Sequence, residues 1–374
     1  MIDGESSTQL VRVESDLSKW LKQHVSEIAE DRISNLPDDL IADKILSRFL
    51  DTRFVISTCI ISKRWQHLWK YVPCLLFNDK SYCKAAEESF LDVGFSDQAF
   101  LEFYNGVNIT LGQYQLEYMN KFYLDANYET RFASLVESWI DFAVGRYVKD
   151  FTLYLRHLGN DDTFSIESQS FYMNSHLTTL DVRYCLFDPH VGITWNNLKV
   201  LTISYSRLEE DLIPKIVSGS PLLETLTLRC YHGSLIDITS PSVNNLILLG
   251  YEADELVNFV QINAPHITFL KIVDCLWISA IVFRNFSYLL KAYLNFDFPH
   301  YYKRFRKRDE EIVLGDVITS LQNVNEVKVG INCHPTIRRL TSKGFVLPSN
   351  VVCEGGSLIY HADFDLDVEG SDSK

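Results

Sequence analysis

The chain has 374 residues, of which 47% are hydrophobic and 22% are charged, a composition typical of an ordered protein. Its formal net charge of −14 argues against nucleic acid as the main partner, since phosphate binding needs a local surplus of lysine and arginine. The start of the chain is polar and acidic, unlike a secretory signal, and no run approaches about 18 uninterrupted apolar residues. We therefore expect no membrane association and an intracellular protein, in the cytoplasm, the nucleus or both.

Residues 1–30 combine a polar tail with one amphipathic pattern. Helical spacing places six residues on one face, namely Leu17, Trp20, Leu21, His24, Val25 and Ile28. One interpretation is a helix that binds a partner or a second copy of the chain. The interpretation we prefer is a helix folded back onto the rest of the chain, because amphipathic stripes usually belong to a core.

Residues 31–77 are predicted to form three short helices. Asn35 or Ser34 is a candidate cap for the first, and Pro37 suits its first turn. The third is predicted from near Ser62 to Pro73. Its apolar positions recur at helical spacing, at Trp65, Leu68, Trp69 and Val72. About 45 residues bury too little surface to be stable alone, so this domain must pack against its own chain, a partner or both.

Two strings in this domain, DRISNLPDDL and SKRWQHLWKYVPCLLFND, resemble the F-box of plant F-box/leucine-rich-repeat proteins, the F-box/FBD/LRR family. The resemblance implies binding to a Skp-type adaptor, which joins the F-box to a cullin-based ubiquitin ligase. The adaptor contacts expected from it are Leu36, Pro37, Leu40, Ile41, Ile45, Leu46, Val55, Ile60, Trp65 and Trp69. An alternative for some of these residues, Trp65 and Trp69 above all, is a place in the internal core.

The middle of the F-box departs from the family pattern. The chain is about two residues longer than usual around Ala42–Lys44 and Arg48, and Asp51 stands where a proline is usual. Two extra residues rotate a helix by about 200°. Either a bulge absorbs them, or the stripe that faces the adaptor is disturbed.

After a linker over residues 78–97, residues 98–361 are predicted to form a leucine-rich-repeat array. The form L-x-x-L-x-L recurs 20–25 residues apart, within the range of such repeats. Its first positions are Leu177, Leu198, Leu223, Val243, Ile267 and Leu289, with looser copies at Met119, Val148 and Val324. The predicted fold is an α+β or α/β solenoid: a three-helix F-box followed by an irregular array with a parallel sheet on its concave face.

Within each repeat the leucines of a short strand point inward and the residues between them point to the concave face. The positions expected to face a protein substrate are Asp181, Arg183, Thr202, Ser204, Thr227, Arg229 and Lys271. Helices are predicted on the convex side over Ser138–Val144 and from Leu208 to Gly219. Cys185, Cys230 and Cys275 occupy the repeat's asparagine/cysteine position, so we interpret them as structural.

No catalytic, cofactor-binding or metal-binding motif is present in the sequence, so we expect a non-catalytic protein without a cofactor or metal. Residues 362–374 are predicted to be a disordered acidic tail, and the C-terminal FBD region of the family to be truncated or absent. The predicted function is substrate recognition within a Skp-cullin-F-box ligase. The alternative is a repeat scaffold that binds a protein but is not coupled to a ligase.

Overall fold

The computed structural model describes residues 35–82, 97–157, 163–206, 208, 211–231, 235–252, 259–297 and 307–354. The chain divides into two compact units, Met1–Pro73 and Cys74–Lys374. The predicted N-terminal amphipathic helix and the acidic tail lie outside the described residues. Among the helices that are described, none is long and apolar enough to cross a membrane.

The first unit consists of short helical segments. Helix α1, Asp38–Leu40, continues as a π-helix over Ile41–Ile45 and a 3₁₀-helix over Leu46–Arg48. Helix α2, Thr52–Ser57, continues as a 3₁₀-helix over Thr58–Ile60. Each segment is short because its hydrogen-bonding pattern changes within one or two turns.

The beginning of α1 and the third predicted helix differ from the sequence-based expectation. Pro37 is the N-cap of α1, and no side chain caps that helix. From Ser62 onward the backbone forms successive i→i−3 turns, which end in a 3₁₀-helix over Leu68–Tyr71. The apolar pattern is nevertheless confirmed as a buried face, because Trp65, Leu68, Trp69 and Val72 are all buried.

The second unit is built on an 11-stranded parallel sheet. Its strands, in spatial order, are β1 (Cys74–Asn78), β2 (Lys121–Tyr128), β3 (Asp150–His157), β5 (Thr179–Arg183), β7 (Val200–Ser204), β8 (Thr225–Tyr231), β10 (Asn245–Glu252), β12 (Phe269–Trp277), β14 (Lys291–Asp297), β15 (Glu326–Val329) and β16 (Val351–Cys353). The predicted parallel solenoid sheet is thus confirmed. Nine of these strands, β2 to β15, each begin two residues after a predicted repeat start.

The core lies behind two rows of apolar side chains that run across every strand in register. One row is Leu75, Phe122, Phe151, Leu180, Leu201, Leu226, Leu246, Leu270, Ala292, Val327 and Val351. The other row is two residues further along each strand and starts at Phe77. Cys74–Asn78, which the sequence placed at the end of the F-box and in the linker, forms β1 because Leu75 and Phe77 join these rows.

Helices connect most of the early and late strands. They are α3 (Asp97–Gln113), α4 (Ala133–Val144), α5 (Gln169–Tyr172), α6 (Leu212–Gly219), α7 (Lys307–Ser320) and α8 (His334–Ser342). The predicted helices correspond to α4, which buries Trp139, and α6, which ends at Gly219 as expected.

Between α6 and α7 the connections are extended. Strands β9 (Leu235–Asp237), β11 (Phe259–Asn263) and β13 (Ala280–Arg284) pair in parallel as a second sheet there. Earlier in the chain, before α6, β4 (Phe164–Ile166) pairs with β6 (Cys185–Phe187). Side-chain hydrogen bonds join Asp237, Asn263 and Asn285 along one end of the second sheet.

Candidate functional sites

The two strings that resemble the F-box are joined by one arginine. The Arg64 guanidinium donates from Nε to Asp38 at 2.6 Å and from Nη2 to the carbonyl of Leu36. Asp38 and Asp39 lie in the first turn of α1, where carboxylates complement the helix dipole. The Leu36–Asp38 and Ser62–Trp65 motifs are therefore parts of one local structure, although they are far apart in sequence.

The predicted adaptor contacts fall into two groups. Ile41, Leu46, Val55, Trp65 and Trp69 are buried, between 0% and 8% exposed, so they form the internal core of the first unit. The others are at least partly exposed, namely Leu36, Pro37, Leu40, Ile45 and Ile60. For Trp65 and Trp69 the structure favours the core alternative.

Four further apolar side chains of the first unit are exposed, and none of them is among the expected adaptor contacts. They are Phe49 (42% exposed), Leu50 (87%), Phe54 (62%) and Ile61 (61%), beside Ile60 at 91%. Phe49, Leu50 and Ile61 lie just beyond the end of a helical segment, where helical periodicity no longer applies, and Phe54 lies within α2. Large apolar side chains exposed at this density are typical of an interaction surface.

Part of the predicted F-box insertion overlaps a π-helix. The wider π-helical turn over Ile41–Ile45 contains Ala42–Lys44, whereas Arg48 ends the 3₁₀-helix that follows. A π-turn accommodates an added residue within a helix without breaking it. Ile41 and Leu46, on either side of the insertion, are both 0% exposed. The π-helix is a bulge of the kind that the first alternative requires, and the effect of the predicted insertion on adaptor binding stays a prediction.

Asp51 has a structural role of its own. It is the N-cap of α2, and its carboxylate accepts a hydrogen bond from the backbone N–H of Arg53 at 2.7 Å. Its φ of −150° is far from the value near −65° that a proline ring imposes. Asp51 therefore caps the helix in a backbone conformation that a proline cannot adopt.

The predicted substrate-facing residues lie in two registered rows on the concave face. Thr202, Thr227 and Lys271 belong to the row that also contains Thr152 and Asp181. Arg183, Ser204 and Arg229 belong to the next row, after Tyr154. Ser204 and Thr227 are buried, at 1% and 8% exposure, so they are shielded by their neighbours.

A stack of three tyrosines adjoins the second row. The rings of Tyr154 and Tyr184 lie 5.5 Å apart, and those of Tyr184 and Tyr205 lie 4.4 Å apart with an interplanar angle of 1°. Arg156 and Arg183 lie over the face of Tyr154, at 5.0 and 5.4 Å. This group, which we call the tyrosine stack, gives the concave face an aromatic centre next to cationic side chains.

The backbone conformation of two of these residues brings the tyrosine rings together. Tyr184 and Tyr205 have left-handed φ values of 56° and 54°, yet their N–H groups still donate to the next strand, to Ser204 and Arg229. A left-handed non-glycine residue costs about 1–2 kcal/mol. Stacking of the rings recovers part of this cost. Burial raises the pKa of Tyr184 to about 12, so its hydroxyl keeps its proton at neutral pH.

A buried ion network lies at the N-terminal end of the same face. Arg156 donates to Asp79 at 2.7 Å and to Asp125, and its Nε donates to the side chain of Asn127 at 3.2 Å. Asp79 also accepts the backbone N–H of Asn127 at 2.6 Å. Burial raises the pKa of Asp79, and the attraction of Arg156 offsets only part of that effect.

The described residues show no arrangement typical of catalysis. No group of three or more potential metal ligands occurs among them. Burial raises the pKa of Cys275 to about 11 and that of Cys333 to about 12, the opposite of what an active thiolate requires. Burial also raises the pKa of Cys185, whose side chain is fully buried, in accord with a structural role.

Comparison with known proteins agrees with the geometry. A family model described as the leucine-rich repeats of FBD-associated F-box protein At5g56370 matches residues 136–280. The F-box/LRR-repeat protein At3g18150 of Arabidopsis thaliana is 30% identical over 334 residues, which are 88% of this chain and 66% of that protein. The chain belongs to the plant F-box/leucine-rich-repeat family.

Other members of the family match over shorter spans. The Arabidopsis F-box/LRR-repeat protein At5g02700 is 29% identical over 254 residues, 67% of this chain and 50% of that protein. F-box/LRR-repeat protein 25 of the same plant is 29% identical over 253 residues, 66% of this chain and 87% of that protein. The chain thus spans only half the length of the first of these relatives. No solved structure matches the chain significantly.

Proposed function

We propose that this chain is the substrate-recognition subunit of a Skp-cullin-F-box ubiquitin ligase. The first unit binds a Skp-type adaptor, the repeat array binds a protein substrate, and other subunits transfer the ubiquitin. The observation that carries this proposal is the exposure of large apolar side chains in an F-box-like unit, with Leu50 at 87% and Ile60 at 91%. The family to which the chain belongs supports it.

The energy available from these side chains is of the right size. Burying Leu50, Phe54, Ile60 and Ile61 would contribute roughly 6–12 kcal/mol, at about 1.5–3 kcal/mol for each. Association of two proteins costs about 4–15 kcal/mol. Because the two sums are similar, losing one anchor should weaken the complex measurably.

Binding to a purified Skp-type adaptor tests this step. We expect Ile60→Ser to weaken binding at least about tenfold, the equivalent of about 1.4 kcal/mol. The matched control is Val346→Ser, since Val346 is 84% exposed but belongs to the second unit. A wild-type chain that does not retain the adaptor at micromolar concentration would contradict the proposal.

The second candidate function is a repeat scaffold that binds a protein without a ligase. The π-helix over Ile41–Ile45 favours it, since this segment departs from a regular helix where the family motif would contact the adaptor. Deleting Asp43 and Lys44 separates the two candidates. If only the deletion variant binds the adaptor, the insertion has uncoupled this chain from the ligase.

For substrate binding we propose the concave face around the tyrosine stack. Repeat arrays bind partners on extended concave surfaces, and aromatic and arginine side chains are enriched at binding hot spots. Lys271, which lies 5.6 Å from the ring of Tyr293, extends this surface toward later repeats. Under this proposal the array binds and orients a substrate, and no residue of the chain takes part in chemistry.

A further inference from the structure

A cleft of about 400 Å³ lies on the helical side of the second unit, away from the concave face. The C-terminal end of α3 and the helix α4 form its walls, with Gly112 on one side and Phe142 on the other. It is open to solvent along one side. A Cβ atom added at Gly112 would meet no atom within 4 Å, so this glycine leaves open space.

Arg146 lines the cleft and stacks on two aromatic rings. Its guanidinium carbon lies 3.5 Å from the ring centroid of Phe142 and 5.7 Å from that of Tyr114. Its one hydrogen bond between described residues is long, from Nη1 to the carbonyl of Phe142 at 3.4 Å. The buried Nε has no partner in the described part of the chain.

No ion pair with a carboxylate is found for Arg146 among the described residues, in contrast to Arg131 and Arg339 on the same side of the unit. Arg131, which also stacks on a ring, at 4.9 Å from Phe132, pairs with Asp97 at 2.7 Å and Glu129 at 2.6 Å. Arg339 pairs with two glutamates of α7. Burial lowers the pKa of Arg146, and the electrostatic attraction of Tyr114 offsets only part of this effect. The guanidinium stays charged at neutral pH all the same.

A second polar group of the cleft also lacks a partner. Trp139 is 1% exposed, and its Nε1–H finds no acceptor in the described residues. The other large buried indole of the array, Trp195, donates to the carbonyl of Phe171 at 2.8 Å. The cleft therefore has two unmet donors, the indole N–H of Trp139 and the Nε of the Arg146 cation. A buried donor without an acceptor costs about 1–3 kcal/mol.

We propose that this cleft binds a carboxylate, carried by an acidic side chain in a segment of a partner protein. A stacked guanidinium presents its planar edge to a carboxylate, and the surrounding Leu111 and Phe142 suit apolar residues beside the acidic one. The open side leaves a path for the rest of the segment, whereas a free small acid would stay largely in water. This site is separate from the concave face and does not depend on adaptor binding.

The test is a titration of the full-length chain with the peptide acetyl-Leu-Glu-Leu-amide, followed by nitrogen–proton NMR of the indole groups. The chain has six tryptophans, and the Trp139→Phe variant assigns the relevant signal. We expect the Trp139 signal to shift in a saturable way at millimolar peptide. The glutamine peptide acetyl-Leu-Gln-Leu-amide should shift it at least about tenfold less, because it lacks the charge that the guanidinium binds.

Variants identify the group responsible. Arg146→Gln should abolish the shift and Arg146→Lys should weaken it, because lysine keeps the charge but lacks the planar fork. The control Arg131→Gln removes a stacked arginine that already has carboxylate partners, and it should bind like the wild type. Thermal unfolding of each variant shows whether it is folded.

Three outcomes would overturn the proposal. One is a Trp139 signal that the glutamate peptide does not move, and another is an equal shift with the glutamine peptide or with folded Arg146→Gln. The third is a larger shift with sodium propionate or inorganic phosphate than with the peptide at equal concentration. Propionate would then identify a site for free small acids, and phosphate a site for phosphoryl groups.

Discussion

At Asp79 two electrostatic effects oppose each other. Arg156 and the N–H of Asn127 stabilise the carboxylate, whereas burial and the neighbouring Asp125 destabilise it. Burial is the largest of these effects, so the pKa of Asp79 is raised above its ordinary value of 3.8. The folded array therefore binds a proton on Asp79 at pH values where the unfolded chain has already lost it.

This difference predicts how stability depends on pH. Because the folded state binds more protons, the contribution of Asp79 to the free energy of unfolding falls as pH rises from about 4 through its raised pKa. Asp79→Asn has no such titration, so its stability relative to wild type should increase with pH across that window. Urea unfolding of both proteins from about pH 4 to pH 7 measures this difference. Parallel pH profiles would show that Asp79 does not carry the effect.

At single residues, the sequence indicates where the chain differs from the family pattern, but it does not show what the backbone and the packing are at those residues. The resemblance predicts a proline at the position of Asp51, and the backbone at φ −150° explains why an aspartate fits there. Ile41 and Leu46 are buried although the resemblance implies adaptor contacts there, and helical spacing alone cannot distinguish a face that packs inward from one that binds a partner.

At the scale of elements, the end of α6 packs so closely against the backbone of Ile193 that a side chain at Gly219 has no room. A Cβ atom at Gly219 would lie 2.2 Å from the carbonyl oxygen of Ile193. The same loop is bonded to α6, since the N–H of Trp195 donates to the carbonyl of Gly219 at 2.8 Å. The helix can therefore pack here only if this position has no side chain.

Gly219→Ala should lower the free energy of unfolding by about 1–3 kcal/mol, because the added methyl group meets backbone that cannot move aside easily. Urea unfolding gives the value. The matched control is Gly315→Ala in the middle of α7, where the nearest atom would be an ordinary 3.7 Å away. That change should stabilise by about 0.5–1 kcal/mol, since alanine is the better helix former. Equal effects of the two substitutions would refute the close contact.

The elements that could be predicted from the sequence are those specified by a repeated pattern. The L-x-x-L-x-L spacing located strands such as β8 and β12, because each strand must place its leucines in the shared core. The sequence predicts a helix after Ser62, whereas the structure has successive 3₁₀ turns, because apolar spacing is similar in the two conformations. The tyrosine stack could not be predicted, because it depends on left-handed backbone at two residues that rarely adopt it.

At the scale of the whole second unit, each inner strand of the 11-stranded sheet pairs with the strand on either side of it. Strand β8 pairs with β7 on one side and with β10 on the other. Stability in such an array is approximately a sum of repeat terms and nearest-neighbour interface terms. A defect in one strand should therefore be felt most by the strands beside it, and less with each further repeat.

Leu226→Ala in β8 tests this behaviour. Leu226 is 1% exposed in the first core row, so its truncation should cost about 2–5 kcal/mol. Hydrogen exchange read by mass spectrometry should show the largest loss of protection in β7, β8 and β10, and progressively smaller losses toward β2 and β15. Leu222→Ala, at a side chain 47% exposed just before the strand, is the control and should leave the exchange pattern nearly unchanged. A uniform loss of protection from β2 to β15 would mean that the array unfolds as a single cooperative block, and that its repeats are coupled well beyond their nearest neighbours.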